Sequence, residues 1–191
     1  MTKLNNLPSA ISEQIYSFRD VEEQAYTICR WVRATKFDAD AILKRCVENQ
    51  PMFEKAKQYQ FYGPNLDEHL GCPYSVFLSQ YPFLPIGRGK NGSPVNYFKV
   101  GHINPEGIMC LVTIDNLVKY FWYSFMYSFK DNIRASREVN PDFCRCEGIN
   151  VIDLEGLSSS ALSQETVEVM KICGKISDFF PEVCIQVDCR H

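Results

Sequence analysis

The sequence has no surplus of positive charge: 20 Lys and Arg against 23 Asp and Glu leave a formal net charge of −3. A generally basic nucleic-acid binder is thereby excluded, because nothing here would neutralise many phosphates. No stretch reaches the roughly 18 uncharged apolar residues of a membrane span. The opening residues, MTKLNNLPSAISEQ, hold no apolar run or cleavage pattern of a secretory signal. A cytoplasmic protein is expected. The three histidines, His69, His102 and His191, stand apart. There is no Ser/His/Asp order, no His-Glu-x-x-His and no P-loop, so a non-enzyme is expected, with no cofactor and no metal. Internal repeats and low-complexity tracts are absent. What is present, 46% hydrophobic and 13% aromatic residues in 191, suits one ordinary folded domain, or a small helical module with a partial larger one.

Nine cysteines stay below the ~8–10% that marks a small disulfide scaffold. Their odd number leaves at least one thiol free, and those on apolar helical faces are expected reduced and buried. Cys144-Arg145-Cys146 lacks the four ligands of a zinc site. Gly87 to Gly92 spells G-x-G-x-x-G, but the glycines lead into a strand, where a dinucleotide fingerprint must open a helix; a surface loop is expected. Cys184 to Arg190 fits C-x5-R, yet no helix follows to depress the thiol and cradle phosphate. Asn91-Gly92-Ser93 is a glycosylation sequon without a signal peptide.

Along the chain, residues 1–17 read as a loose lead-in. Asp20-Val21-Glu22-Glu23 resembles a capping box, after which Val21, Ala25, Ile28, Cys29 and Val32 recur at helical spacing. Asp38 can cap a second helix carrying Ala41, Ile42, Cys46 and Val47, giving an αα-hairpin. From Gln58 to Pro94, prolines and aromatics mark a connecting segment of short structure. Then a strand at Val95–Val100, a long helix from Thr113 to about Arg137, a strand at Ile149–Leu154, a helix capped by Ser163 and a strand at Val183–Val187 alternate. The long helix presents Ile114, Leu117, Val118, Phe121, Trp122, Phe125, Met126 and Phe129. This order predicts an α/β fold with helical crossovers, organised as a helical module at 1–60 and an α/β lobe at 61–191.

Four segments, in order, resemble one family. Arg30 to Asp38 (RWVRATKFD) is similar to the "RFLRARKFD" signature of CRAL-TRIO proteins. Lys90 to Tyr97 resembles their "DGRPVYY" turn, Val151 to Ser158 their "hhDLkGlS" strand and turn, and Ile176 to Glu182 (ISDFFPE) their "isq.YPE" segment. The resemblance implies a mixed sheet flooring an apolar lipid pocket, and binding and transfer of one phospholipid or other hydrophobic molecule through a transient membrane contact. By the family pattern, Lys36 and Glu182 correspond to headgroup-binding positions: a compact cation for phosphate and a carboxylate for inositol hydroxyls. Phosphatidylinositol is the expected lipid, with Phe121, Trp122, Phe125 and Met126 as pocket walls. Thr35 and Ser93 replace basic residues of the family pattern. Val183 to His191 does not resemble the family's next strand, and the gate helix that follows it in the family has no counterpart, so the lobe is expected to be partial. A protein-interaction or regulatory module with a degenerate pocket is the alternative from a different class. An enzyme built on Gly87–Gly92 or Cys184 is a third reading.

Overall fold

The computed structural model of the protein describes residues 7–157 and 163–189. The N-terminal part holds α1 (Ser9–Ile15), α2 (Gln24–Ala34) and α3 (Ala39–Gln58). The 1–17 segment is therefore not a loose lead-in throughout. From Ser9 it forms a helix, and Ile15 packs into a small core with Trp31, Ile42 and Cys46. The Trp31 indole N–H donates to the Ile15 carbonyl at 3.3 Å, tying α1 to α2.

Two local readings need correction here. Asp20 does not cap α2, which starts at Gln24. Its carboxylate instead accepts from Lys130 Nζ at 2.7 Å and from Arg134, two residues far away in sequence. The buried stripe of α2 is Thr27, Arg30 and Trp31, whereas Ala25 and Cys29 are exposed. The stripe rotates because Arg30 is drawn inward by the buried carboxylate of Glu22. Asp38 does cap α3, accepting from the N–H groups of Asp40 and Ala41 at 2.9 and 3.1 Å. Ile42 and Cys46 are buried as expected; Val47 faces solvent.

The connecting segment contains α4 (Leu66–Leu70), α5 (Tyr74–Gln80) and a strand that the sequence reading missed, β1 (Phe83–Arg88). β1 pairs antiparallel with β2 (Pro94–Lys99), and its register slips between Pro85 and Gly87. Gly87 to Gly92 is the end of that hairpin. Gly89 N–H donates to the Ser93 carbonyl at 2.8 Å, and Gly92 takes the left-handed conformation (φ 91°) that the tight turn requires. After α6 (Pro105–Leu111) comes a long helical rod made of α7 (Ile114–Tyr123), a π turn (Ser124–Phe129) and α8 (Lys130–Val139). Thr113 caps it by accepting from Asn116 N–H at 3.2 Å. The widened turn re-phases the rod, so that Leu117, Phe121 and Trp122 are buried before it, Phe129 at its last position, and Ile133 and Ser136 after it.

β3 (Gly148–Asp153), α9 (Gln164–Ser177) and β4 (Cys184–Cys189) complete the order. The sheet is β1-β2-β3-β4, antiparallel at its first pair and parallel at the other two. This is the mixed α/β architecture expected. The Cys184 side chain, Ser158, Arg190 and His191 lie outside the described residues.

The two faces of the sheet differ. Phe83 and Phe98 join the large core formed with α7, α8 and α9, and Gly148 lies under Phe129. That is the helix-covered face, and Asn96, in register between Pro85 and Asn150, belongs to it. On the opposite face stand Leu84 and the half-buried Val95, Tyr97, Ile149 and Val151, none of which joins either core among the described residues, with the Tyr97 hydroxyl donating to the buried carboxylate of Asp153. Leu84 is 40% exposed, and Ile86 at the neighbouring edge is 58% exposed.

Candidate functional site

Two regions carry chemistry that folding alone does not demand. The first joins the helical part to the lobe. The last turns of α2 bring Arg30 and Arg33 against the residues that lead into β4. Arg30 Nε and Nη2 donate to the two carboxylate oxygens of Glu22 at 2.7 and 2.6 Å, and Nη1 donates to the Pro181 carbonyl at 2.6 Å. Thr27 Oγ1 donates to the same carboxylate at 2.7 Å, so the buried pair is nearly saturated with partners. Beside it, Arg33 pairs with Glu182 at 2.8 Å and approaches Glu147 at 4.0 Å, and Arg145 lies 3.4 Å from Glu147.

The two expected headgroup residues fall around this joint. Glu182 has a left-handed backbone (φ 59°) and is engaged by Arg33. Lys36 and Phe37 form the left-handed turn that ends α2, with φ 51° and 67°, and both are exposed; Phe37 is 78% exposed. The RWVRATKFD and ISDFFPE segments are thus brought together, through Arg30 and Arg33. Neither arginine had been assigned a role from sequence, although both were legible in the signature.

The second region is the interior between the sheet and the α7–α8 rod. It is almost wholly aromatic. Trp122 lies 4.6 Å from Phe179 and 5.8 Å from Phe180, ring centre to ring centre, and Phe125 stacks on Phe180 at 4.6 Å. Tyr81 lies 5.1 Å from Phe98, and Tyr120 and Phe121 meet Tyr81 at 6.0 and 6.2 Å. Burial pushes the phenols of Tyr81 and Tyr120 well above their usual value, so both remain neutral. Into this apolar setting the sheet sets a polar pair, in which Asn96 Nδ2 donates to Asn150 Oδ1 at 3.1 Å. Of the four expected wall residues, Phe121 and Trp122 are buried in this interior and Phe125 is half-buried at its edge. Met126, also half-buried, borders a cleft on the other side of the rod, with Phe53 and Phe61.

The seven described cysteines are free. Cys46 and Cys146 are buried and Cys110 is exposed; Cys29 is also exposed, against the expectation for its helical position. Burial pushes the Cys46 thiol up to about 12 and Cys173 up to about 11, which keeps both unreactive at neutral pH. Among the described residues no group of three His, Cys, Asp or Glu could hold a metal ion. No described helix is long and apolar enough to cross a membrane.

A mixed sheet with helical crossovers on one face, pinned by ion pairs to a helical unit, defines an α/β domain built around one aromatic interior. Residues 78–189 match the CRAL/TRIO domain, more than half of the chain, and the protein belongs to that family. It is also similar to the phosphatidylinositol/phosphatidylcholine transfer protein SFH9 of Arabidopsis thaliana, at 22% identity over 168 residues and 85% of this chain. The chain spans about a quarter of that relative's length (27%).

Proposed function

We propose that this protein is a non-catalytic carrier that binds one lipid, phosphatidylinositol, between its sheet and the α7–α8 rod and moves it between membranes through transient contact. The observation that carries this reading is the Asn96–Asn150 pair, set within an aromatic interior and under a rod interrupted by a π turn. A plain core gains little from an amide pair on its inner sheet face, whereas an amphiphile needs apolar walls and a few fixed polar groups. Membership of the CRAL/TRIO family and the similarity to a phosphatidylinositol/phosphatidylcholine transfer protein support the lipid class. Phe121, Trp122 and Phe125 then serve as acyl-chain walls; Met126, on the other side of the rod, drops out of that set. Lys36 takes the phosphate. On loading, Arg33 turns from Glu182 to that phosphate and frees the Glu182 carboxylate for inositol hydroxyls.

Transfer of fluorescent phosphatidylinositol between vesicles tests this. The wild-type chain should accelerate transfer, and Lys36→Ala and Glu182→Ala should each slow it about tenfold, the loss of one charge-assisted contact. No transfer above the vesicle background would refute the carrier, and unchanged transfer in both variants would refute the headgroup assignment.

One observation favours a second reading, a protein-interaction module. The sheet face carrying half-buried Val95, Tyr97, Ile149 and Val151 joins neither core among the described residues, and exposed Leu84 and Ile86 extend it at the edge; apolar patches of that kind mark contact surfaces.

A further inference from the structure

The α7–α8 rod has a second side, away from the sheet, and there it borders a cleft of about 300 Å³. Its inner end is apolar: Phe53, Phe61 and Met126. Its mouth is polar, with Tyr16, Arg19, Asp20 and Lys130. Both carboxylates at the mouth already have cationic partners. Glu13 pairs with Lys57, and Asp20 pairs with Lys130 and Arg134. Arg19 has no side-chain hydrogen bond or ion pair among the described residues, and it is exposed. Of the four charges that line the cleft, Glu13, Asp20 and Lys130 are committed to ion pairs, and the one without a partner among the described residues is the Arg19 guanidinium, with donors to spare.

The apolar wall is built at a conformational cost. Gln60, Phe61 and Tyr62 are successive non-glycine residues at positive φ (52°, 52° and 62°), a region that L-residues avoid. The turn is held by Tyr127, whose hydroxyl donates to the Gln60 carbonyl at 2.8 Å. It sets the Phe61 ring 5.4 Å from Phe53 and 5.6 Å from Trp122. Backbone strain of this kind concentrates at ligand clamps.

We infer that this cleft is a separate binding site for a single-chain amphiphile with an anionic head, carboxylate or phosphate, whose head pairs with Arg19 and whose chain lies on Phe53, Phe61 and Met126. A volume at the lower end of the ~300–1,000 Å³ range of small-molecule sites admits one short chain and excludes a diacyl lipid. The cleft opens on the side of the rod away from the sheet, although Phe53 and Phe61 back onto Trp122, and the inference stands whether or not the sheet-side interior carries lipid.

Isothermal titration with octyl phosphate, octanoate and inorganic phosphate tests it. Octyl phosphate should bind one per chain, alone or together with octanoate, and inorganic phosphate should not. Affinity should rise about fourfold per methylene from the hexyl to the octyl compound. Arg19→Ala should weaken octyl phosphate about tenfold. Ser17→Phe, which fills the cleft from a half-buried lining position, should abolish binding. The site would be overturned by the absence of saturable binding, by inorganic phosphate binding as tightly as octyl phosphate, or by equal affinity in wild type and both variants. It would also be overturned if the double variant Asn96→Leu/Asn150→Leu abolished binding while Arg19→Ala and Ser17→Phe left it intact, since the ligand would then sit beside the sheet.

Discussion

The two faces of the sheet mix polar and apolar residues differently. The face covered by helices carries the Asn96–Asn150 pair beside Phe83 and Phe98, and the face left open by the described helices carries half-buried Val95, Tyr97, Ile149 and Val151 with exposed Leu84. An amide on the covered face must be desolvated, and a half-buried aliphatic residue forgoes part of its burial. The contrast separates two roles. The covered face combines stability with polar selectivity; the open face contributes little to stability until something apolar lies on it.

The largest expected effects fall on the covered side and at its joint. Trp122→Ala removes a ring that is 1% exposed and is packed by Phe53, Phe61, Phe179 and Phe180, and should lower unfolding stability by about 3–5 kcal/mol in urea denaturation. Arg30→Ala leaves the Glu22 carboxylate buried without its partner and should cost a similar ~3–5 kcal/mol. Next, the double variant Asn96→Leu/Asn150→Leu removes both members of the amide pair and should change stability by no more than about 1 kcal/mol. On the open face, Val95→Thr and Val151→Thr should each change it by less than about 0.5 kcal/mol, the range of surface substitutions. If the threonine variants proved as damaging as Trp122→Ala, the open face would be part of a core and the contrast would fail.

The smallest effect concerns pH. Burial raises the Asp20 carboxyl, but the hydrogen bond and charge of Lys130, its own backbone N–H and Arg134 outweigh it and hold the group below its usual value. A carboxyl lowered in the folded state adds stability above its unfolded pKa of about 3.9, and that stability is lost as pH falls through the folded value. Asp20→Asn should thus reduce stability at neutral pH slightly. The difference from wild type should vanish in strong acid, as followed by circular dichroism between pH 7 and pH 2.

Much of this arrangement could be read from the sequence, where the signal was local. Asp38 and Ser163 cap the helices they were expected to cap, and Thr113 begins the long helix where it was expected, because a hydroxyl or carboxylate at that position meets only neighbouring N–H groups. The parallel strands β2, β3 and β4 fall where apolar runs predicted them. What escaped depended on distant partners. Asp20 and Glu22 looked like a helix start, yet their partners are Lys130 and Arg134, over a hundred residues away, and Arg30. β1 was hidden because Pro85 and Gly87 punctuate it, although Leu84 and Ile86 retain an alternation that could have revealed it. The π turn left no mark in a pattern whose three- and four-residue steps continue across it. Of the candidate site, Lys36, Glu182 and the α7 aromatics came from family resemblance. Arg33, which engages Glu182, lay inside the same signature without a role.

The most direct test of the contrast between the two faces is native mass spectrometry after incubation with phosphatidylinositol vesicles. Three proteins are compared: wild type, Asn96→Leu/Asn150→Leu and Val151→Lys. The carrier reading predicts a single phosphatidylinositol adduct on wild type and on Val151→Lys, and none on the double variant. An adduct that survives in the double variant but is lost in Val151→Lys, or no adduct on wild type, would contradict it.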